Sequence, residues 1–200
     1  MMYAAIYSKP DPKSNNQPPM NCIWTKQIQI PLQWLVSFIS GQRGDLQRVL
    51  TVDSYLRRGK SVVLTTDASP YGIGAVLVID GTVVAHLSDR VCAMDRLVLG
   101  LQETPSSKDQ QVLEALAVLV SLREFLNFWR RERIVLAIRT DNIAPLTMVT
   151  KMQPHSPQLG IVARELALDI AEASYCPDIV EHIPGITNVA ADSLSRIHDP

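Results

Sequence analysis

Asp80-Gly81 stands between two β-branched runs, residues 73–79 (IGAVLVI) and 82–87 (TVVAHL). A two-residue Asp-Gly loop takes the left-handed backbone of a tight hairpin, so the flanking runs are predicted to pair antiparallel. A third run, residues 62–68 (VVLTTDA), ends at Ser69-Pro70 and extends the hairpin to a three-stranded meander. Residues 88–108 show no period and read as a loop with one short helix. A long helix is predicted over 109–129, a fourth strand over 134–140 (IVLAIRT), and a helix near 144–151. After the break at 154–157 come a helix over 158–175, a short fifth strand over 179–183 and a terminal helix over 188–197. The order βββ-α-β-α-α-β-α predicts an α/β fold, a mixed sheet flanked by helices.

Upstream the pattern differs. Residues 10–19 (PDPKSNNQPP) hold four of the 13 prolines and read as an extended linker. Residues 31–40 (PLQWLVSFIS) have helical spacing, with Pro31 placed at the first turn and Gly41 beyond the end. A second short helix is expected over 45–56. Two such helices cannot bury a core, so the expected division is 1–60, a linker with a partial helical segment, and 61–200, the main domain.

Residues 1–60 carry eight Lys/Arg against three Asp, a net +5, whereas residues 61–200 carry eleven against seventeen acids, a net −6. An acidic body with a basic extension suits a metal-dependent enzyme with a tether for a polyanion. No apolar run nears the roughly 20 residues of a membrane span, and the first residues lack a signal peptide's apolar stretch. Cys22, Cys92 and Cys176 are scattered and form no CxxC pair. Reduced thiols in an intracellular compartment, cytoplasmic or nuclear, are the expectation.

Four acids sit where fold physics alone rarely puts them. Asp67 and Asp141 each end a β-branched strand. Glu114 is the sole charge in residues 112–122 (VLEALAVLVSL), a stretch apolar on nearly every face and hence buried. Asp192 lies on a terminal helix of small and apolar residues. Each has a plainer reading: Asp67 starting a turn, Asp141 capping a helix, Glu114 paired with Arg123 or Arg139, Asp192 on a solvated face. Jointly they look like a site, because four converging acids repel unless a cation lies among them. Their hard oxygens suit Mg²⁺ or Mn²⁺ rather than zinc. Two such ions roughly 4 Å apart can hold an attacking water and a leaving oxygen about one phosphorus, which is phosphodiester hydrolysis.

On these residues the chain resembles the ribonuclease H domain of retroelement reverse transcriptases, particularly those of LTR-type and related retrotransposons. The matching motifs are TDASPYGIGAVL at 66–77, QQVLEALAVLVSLREF at 110–125, RTDNIAPL at 139–146 and HIPGITNVAADSLSR at 182–196. The resemblance covers 61–196 in the family's order. It implies a ribonuclease H-like fold, three antiparallel strands and then two parallel ones. It also implies cleavage of the RNA strand of RNA–DNA hybrids, leaving 5′-phosphate and 3′-hydroxyl ends. The family's acidic tetrad falls on Asp67, Glu114, Asp141 and Asp192. Asp67 would bridge two Mg²⁺ ions, for which Mn²⁺ substitutes, with Glu114 and Asp141 on one and Asp192 on the other. Gly72 and Gly74 would let the hybrid approach closely, and Asn142 would bond its backbone or else cap a helix.

The chain departs from the family at two places. The loop 184–188 (PGITN) has no histidine, and His182 before it is expected to point inward from its strand. The basic protrusion of cellular enzymes is missing, with Arg130, Arg131 and Arg133 as partial substitutes. No YxDD motif occurs, so polymerase activity is not expected, and residues 31–46 loosely resemble a polymerase connection. The expectation is a fragment or domesticated remnant of a retroelement polyprotein, whose polymerase part is a possible partner. Two other readings stay open: a catalytically silent ribonuclease H-fold module, and an integrase or transposase that uses Glu172 after two aspartates.

Overall fold

The computed structural model describes residues 25–42, 59–102, 106–129, 134–142, 156–172 and 175–200. The chain divides into two compact units, Met1–Arg48 and Val49–Pro200. In the first, helix α1 spans Thr25–Ile39. Pro31 therefore lies inside the helix, not at its first turn as expected, and cannot donate the backbone bond its position calls for. The expected stop is present. Gly41 takes φ +69°, its N–H donates to Phe38 O at 3.2 Å, and Gln42 N–H donates to Ser37 O at 2.9 Å. That pair of bonds is the Schellman closure. The helix expected over 45–56 lies outside the described residues.

The second unit is built on strands β1 (Lys60–Ala68), β2 (Gly72–Ile79) and β3 (Thr82–Arg90). Asp80 (φ +48°) and Gly81 (φ +82°) form the expected hairpin loop. Asp80 further ties the loop to β1, its N–H donating to Ser61 O at 2.8 Å and its Oδ1 accepting from Ser61 N–H at 2.9 Å. Helix α2 (Ala93–Leu99) is the short helix of the intervening loop, and α3 (Ser107–Glu124) runs on into a 3₁₀ turn at Phe125–Phe128. Ser106 caps α3, accepting from Asp109 N–H at 3.2 Å, while Asp109 reaches back to Ser106 N–H. Strand β4 (Ile134–Thr140), helix α4 (Pro157–Glu172), strand β5 (Tyr175–His182) and helix α5 (Val189–Ser195) complete the order. The helix expected near 144–151, like Arg130, Arg131 and Arg133, lies outside the described residues.

Among the described residues the sheet runs β3-β2-β1-β4-β5. The meander β1–β2–β3 is antiparallel, and β4 and β5 add in parallel to β1. This is the α/β architecture expected from the sequence. Strand β5 begins four residues before its expected start, because Pro177 and Asp178 read as breakers. On an edge strand Pro177 needs no ladder donor, and the register steps past Asp178, pairing Leu136 with Pro177 but Ala137 with Ile179.

Alternation decides what each face carries. Val62, Leu64, Ala75, Leu77, Leu136 and Ile138 share one face and are buried against α3 and α4. Each of the Val, Leu and Ile side chains among them contributes roughly 1.5–3 kcal/mol. Helix α3 is apolar on nearly all sides because the sheet covers one face and α4 another. Helix α5 packs on the opposite face, across β1, β2 and β3.

Candidate functional site

The parallel arrangement of β1 and β4 brings Asp67 and Asp141 to the same end of the sheet, at the carboxyl ends of the strands, where open α/β sheets carry their sites. Glu114 arrives from the first half of α3 and Asp192 from the first turn of α5. Asp67 and Glu114 are both buried, at 6% and 5% exposure, while Asp141 and Asp192 are half-buried.

The two buried acids feel the carboxyls around them. Burial raises Asp67 to about 6; a hydrogen bond from Ser195 works against this, and the charges of Asp141 and Asp192 add to it. Burial raises Glu114 to about 7, opposed by Gln110 and Asn142 and reinforced by Asp141 and Asp67. Gln110, one turn back on α3, donates from Nε2 to Glu114 Oε1 at 3.1 Å and also to Ala68 O, which fastens Glu114 to the end of β1. Glu114 Oε2 is buried without a partner in hydrogen-bond geometry.

The plainer readings of Glu114 fail on geometry. Arg123 pairs instead with Asp169 at 2.7 Å and Glu165 at 2.9 Å, and Arg139 pairs with Glu181 at 2.7 Å. Asp192 does have a cation: Arg196 Nε donates to its Oδ1 at 2.7 Å, one helical turn away. Asp141 lies under the 184–188 loop, where a Cβ on Gly185 would stand 3.3 Å from Asp141 Oδ2. Asn142 is half-buried beside Glu114, and its N–H donates to Thr140 Oγ1 at 3.3 Å.

Helix α5 lies against Gly72 and Gly74. A Cβ on Gly72 would stand 2.4 Å from Ser195 O, and one on Gly74 would stand 2.1 Å from Ala191 O. The missing side chains seat helix α5 on β2. One expectation is corrected: His182 does not point into the core; it is exposed, and its Nε2 lies 2.9 Å from Asp141 O. The residues not singled out from sequence are Gln110, Asn188 and Ser195. Gln110 had a signal, its i,i+4 spacing to Glu114. Ser195 had none beyond standing three residues after Asp192.

The donor set fits hard divalent cations: carboxyl oxygens alone, two of the four acids raised in proton affinity by burial, and one buried oxygen, Glu114 Oε2, without a partner in hydrogen-bond geometry. Among the described residues no three His, Cys, Asp or Glu side chains stand close enough to hold one ion as they are. The carboxylates are near enough to repel but are not drawn to ligating distance.

No family model and no curated protein sequence matches the chain. Solved structures do. The crystal structure of RNase H1 from the halophilic archaeon Halobacterium salinarum NRC-1 superposes with a TM-score of 0.51 at 20% identity, covering 67% of this chain and 93% of that one. LC11-RNase H1, crystallised in complex with RNA/DNA hybrid, gives 0.53 at 19% identity, covering 66% and 92%. The fold is that of ribonuclease H. Within a ribonuclease H fold, Asp67, Glu114, Asp141 and Asp192 come from a central strand, the long helix, the adjacent parallel strand and the last helix. Among the described residues no helix is long and apolar enough to cross a membrane.

Proposed function

We infer that this chain is an endonuclease that hydrolyses the RNA strand of RNA–DNA hybrids. The observation that carries the reading is the convergence, on a ribonuclease H fold, of Asp141 and Asp192 upon the two buried acids Asp67 and Glu114, whose proton affinity burial and the neighbouring carboxyls raise. Asp67, Glu114, Asp141 and Asp192 would hold two Mg²⁺ ions, or Mn²⁺ in their place. Bound there, such ions supply an activated water and a counter-charge for the departing 3′ oxygen. The protein's share is positional. Gln110 fixes Glu114 against β1, and α5, seated on Gly72 and Gly74, fixes Asp192. Asn142 is placed to bond the phosphodiester backbone beside Glu114. Hybrid is told from duplex DNA by 2′-hydroxyls across the minor groove.

The four sequence motifs support an origin in a retroelement reverse transcriptase, with residues 1–60 as the remainder of its connection and 61–200 as the nuclease. They also support an intracellular setting, with the polymerase part of such an enzyme as partner. One observation favours a second reading, a silent module that keeps the fold: the carboxylates are not grouped at ligating distance.

The deciding experiment uses the full 200-residue chain, a labelled RNA–DNA hybrid and matched RNA and DNA duplexes, each with Mg²⁺, Mn²⁺ or EDTA. Metal-dependent cutting of RNA in the hybrid alone, lost in Asp67→Asn and Glu114→Gln, is the expected result. A folded chain that cuts nothing at low salt sinks the enzyme reading and leaves the silent module.

A further inference from the structure

Helix α5, which carries Asp192, is fastened to β1 at both of its ends. Asn188 Nδ2 donates to Thr66 O at 3.2 Å, and Ser195 Oγ donates to Asp67 Oδ2 at 2.6 Å. Both anchors are buried, Asn188 at 1% and Ser195 at 0% exposure. The same Ser195 hydroxyl lies 2.9 Å from Asp192 O. With one proton to give, it stands between the backbone of one candidate ligand and the carboxylate of the other.

Seating the helix does not depend on that hydroxyl alone. Ser88 Oγ donates to Leu194 O at 2.8 Å and Ser69 Oγ to Ser195 O at 2.9 Å, so two other serines hold the end of α5 without touching any of the four carboxyls. Gly72 and Gly74 supply the close fit beneath it. What the Ser195 hydroxyl adds is a grip on one oxygen of a buried carboxylate whose terminal torsion is otherwise broad. A bond at Oδ2 sets the plane of the group and so the direction in which its other oxygen is presented.

We propose that Ser195 is a positioning residue that holds the Asp67 carboxylate in the orientation in which it takes a divalent cation, and so ties cation uptake at β1 to the seating of the helix bearing Asp192. The proposal rests on the metal-dependent hydrolase reading given above. Hydrogen-bond partners of ligating side chains act in this way, and removing one costs about 10- to 100-fold in metal affinity.

The test is a Mn²⁺ titration of the full chain without nucleic acid, followed by the electron paramagnetic resonance of free Mn²⁺, with melting temperatures measured in parallel. Ser195→Ala is expected to weaken Mn²⁺ binding about 10- to 100-fold. Ser88→Ala, which frees a carbonyl of the same helix, is expected to lower the melting temperature while leaving Mn²⁺ affinity unchanged. Ser195→Cys, close in size and a weaker donor, should fall between wild type and Ser195→Ala, and serves in its place should that variant not fold. A Ser195→Ala or Ser195→Cys chain that melts earlier but takes Mn²⁺ as tightly as wild type reduces Ser195 to a packing role and overturns the proposal. A wild type that takes no more Mn²⁺ than Asp67→Asn removes the hydrolase reading itself, and the proposal with it.

Discussion

Asp67 and Glu114 are buried acids whose protons are held into the neutral range by burial and by the neighbouring carboxyls. An acid with a raised folded-state value binds its proton more tightly folded than unfolded, so it favours the fold at low pH. That advantage is lost as pH rises from the unfolded value near 4 to about 6 for Asp67 and about 7 for Glu114. In EDTA the protein should therefore melt higher at pH 5 than at pH 8. Asp67→Asn removes the cost of charging this site, on the order of 2 kcal/mol, and should raise the pH 8 melting temperature by roughly 4–8 °C. Saturating Mg²⁺ should narrow the gap between wild type and variant. A pH 8 melting temperature equal to or below that of wild type in EDTA would show that Asp67 bears no such strain. At this scale the sequence was informative about charge and silent about partners. A lone glutamate in an apolar helix announces itself, whereas a serine three residues after Asp192 looks like any small helix residue, and its bond to Asp67 spans 128 positions of chain.

The elements were legible wherever a local rule and the tertiary environment agreed. Asp80-Gly81 needs φ > 0 twice and the hairpin delivers it, so the meander could be read without knowing what covers it. Pro177 obeys a local rule that an edge position suspends, so the fifth strand starts earlier than its residues suggest. Gly72 and Gly74 pose a subtler problem. A glycine signals close approach, but whether a ligand or the chain itself approaches depends on a helix more than 110 residues later. Gly74→Ala tests the assignment directly. Its Cβ would stand 2.1 Å from a backbone carbonyl of α5 that cannot swing aside, so the helix must lift, at about 1–3 kcal/mol or more. Gly81→Ala is the control, since its Cβ meets only open space and the cost is that of its positive φ, about 1 kcal/mol. Urea midpoints should place Gly74→Ala below Gly81→Ala, and Gly74→Ala should also weaken Mn²⁺ binding by moving Asp192. Full stability in Gly74→Ala would mean that α5 is not seated on β2 as described.

At the scale of the whole chain the charges pose a problem that the site alone does not solve. The part that carries the four acids has a net charge of −6 over residues 61–200, and its proposed substrate is a polyanion. Cations bound among the carboxylates neutralise the cleavage point, but they do not supply the long-range attraction by which proteins gather nucleic acid. The excess of eight Lys/Arg over three Asp in residues 1–60 is the counterweight available in this sequence. If those residues act on the same substrate, hybrid affinity belongs to both units and not to the ribonuclease H fold by itself. Binding measured with Asp67→Asn in place, so that no cutting intervenes, should weaken steeply with added salt, by about 0.9 in log–log slope for each phosphate neutralised. Deleting residues 1–48, which hold five Lys/Arg and two Asp, should flatten that slope by roughly 2–4 and lower affinity most at low salt. It should leave Mn²⁺ uptake by the four carboxylates as it was. An unchanged slope after the deletion would place the phosphate contacts within residues 49–200 and leave the basic extension without a part in holding hybrid.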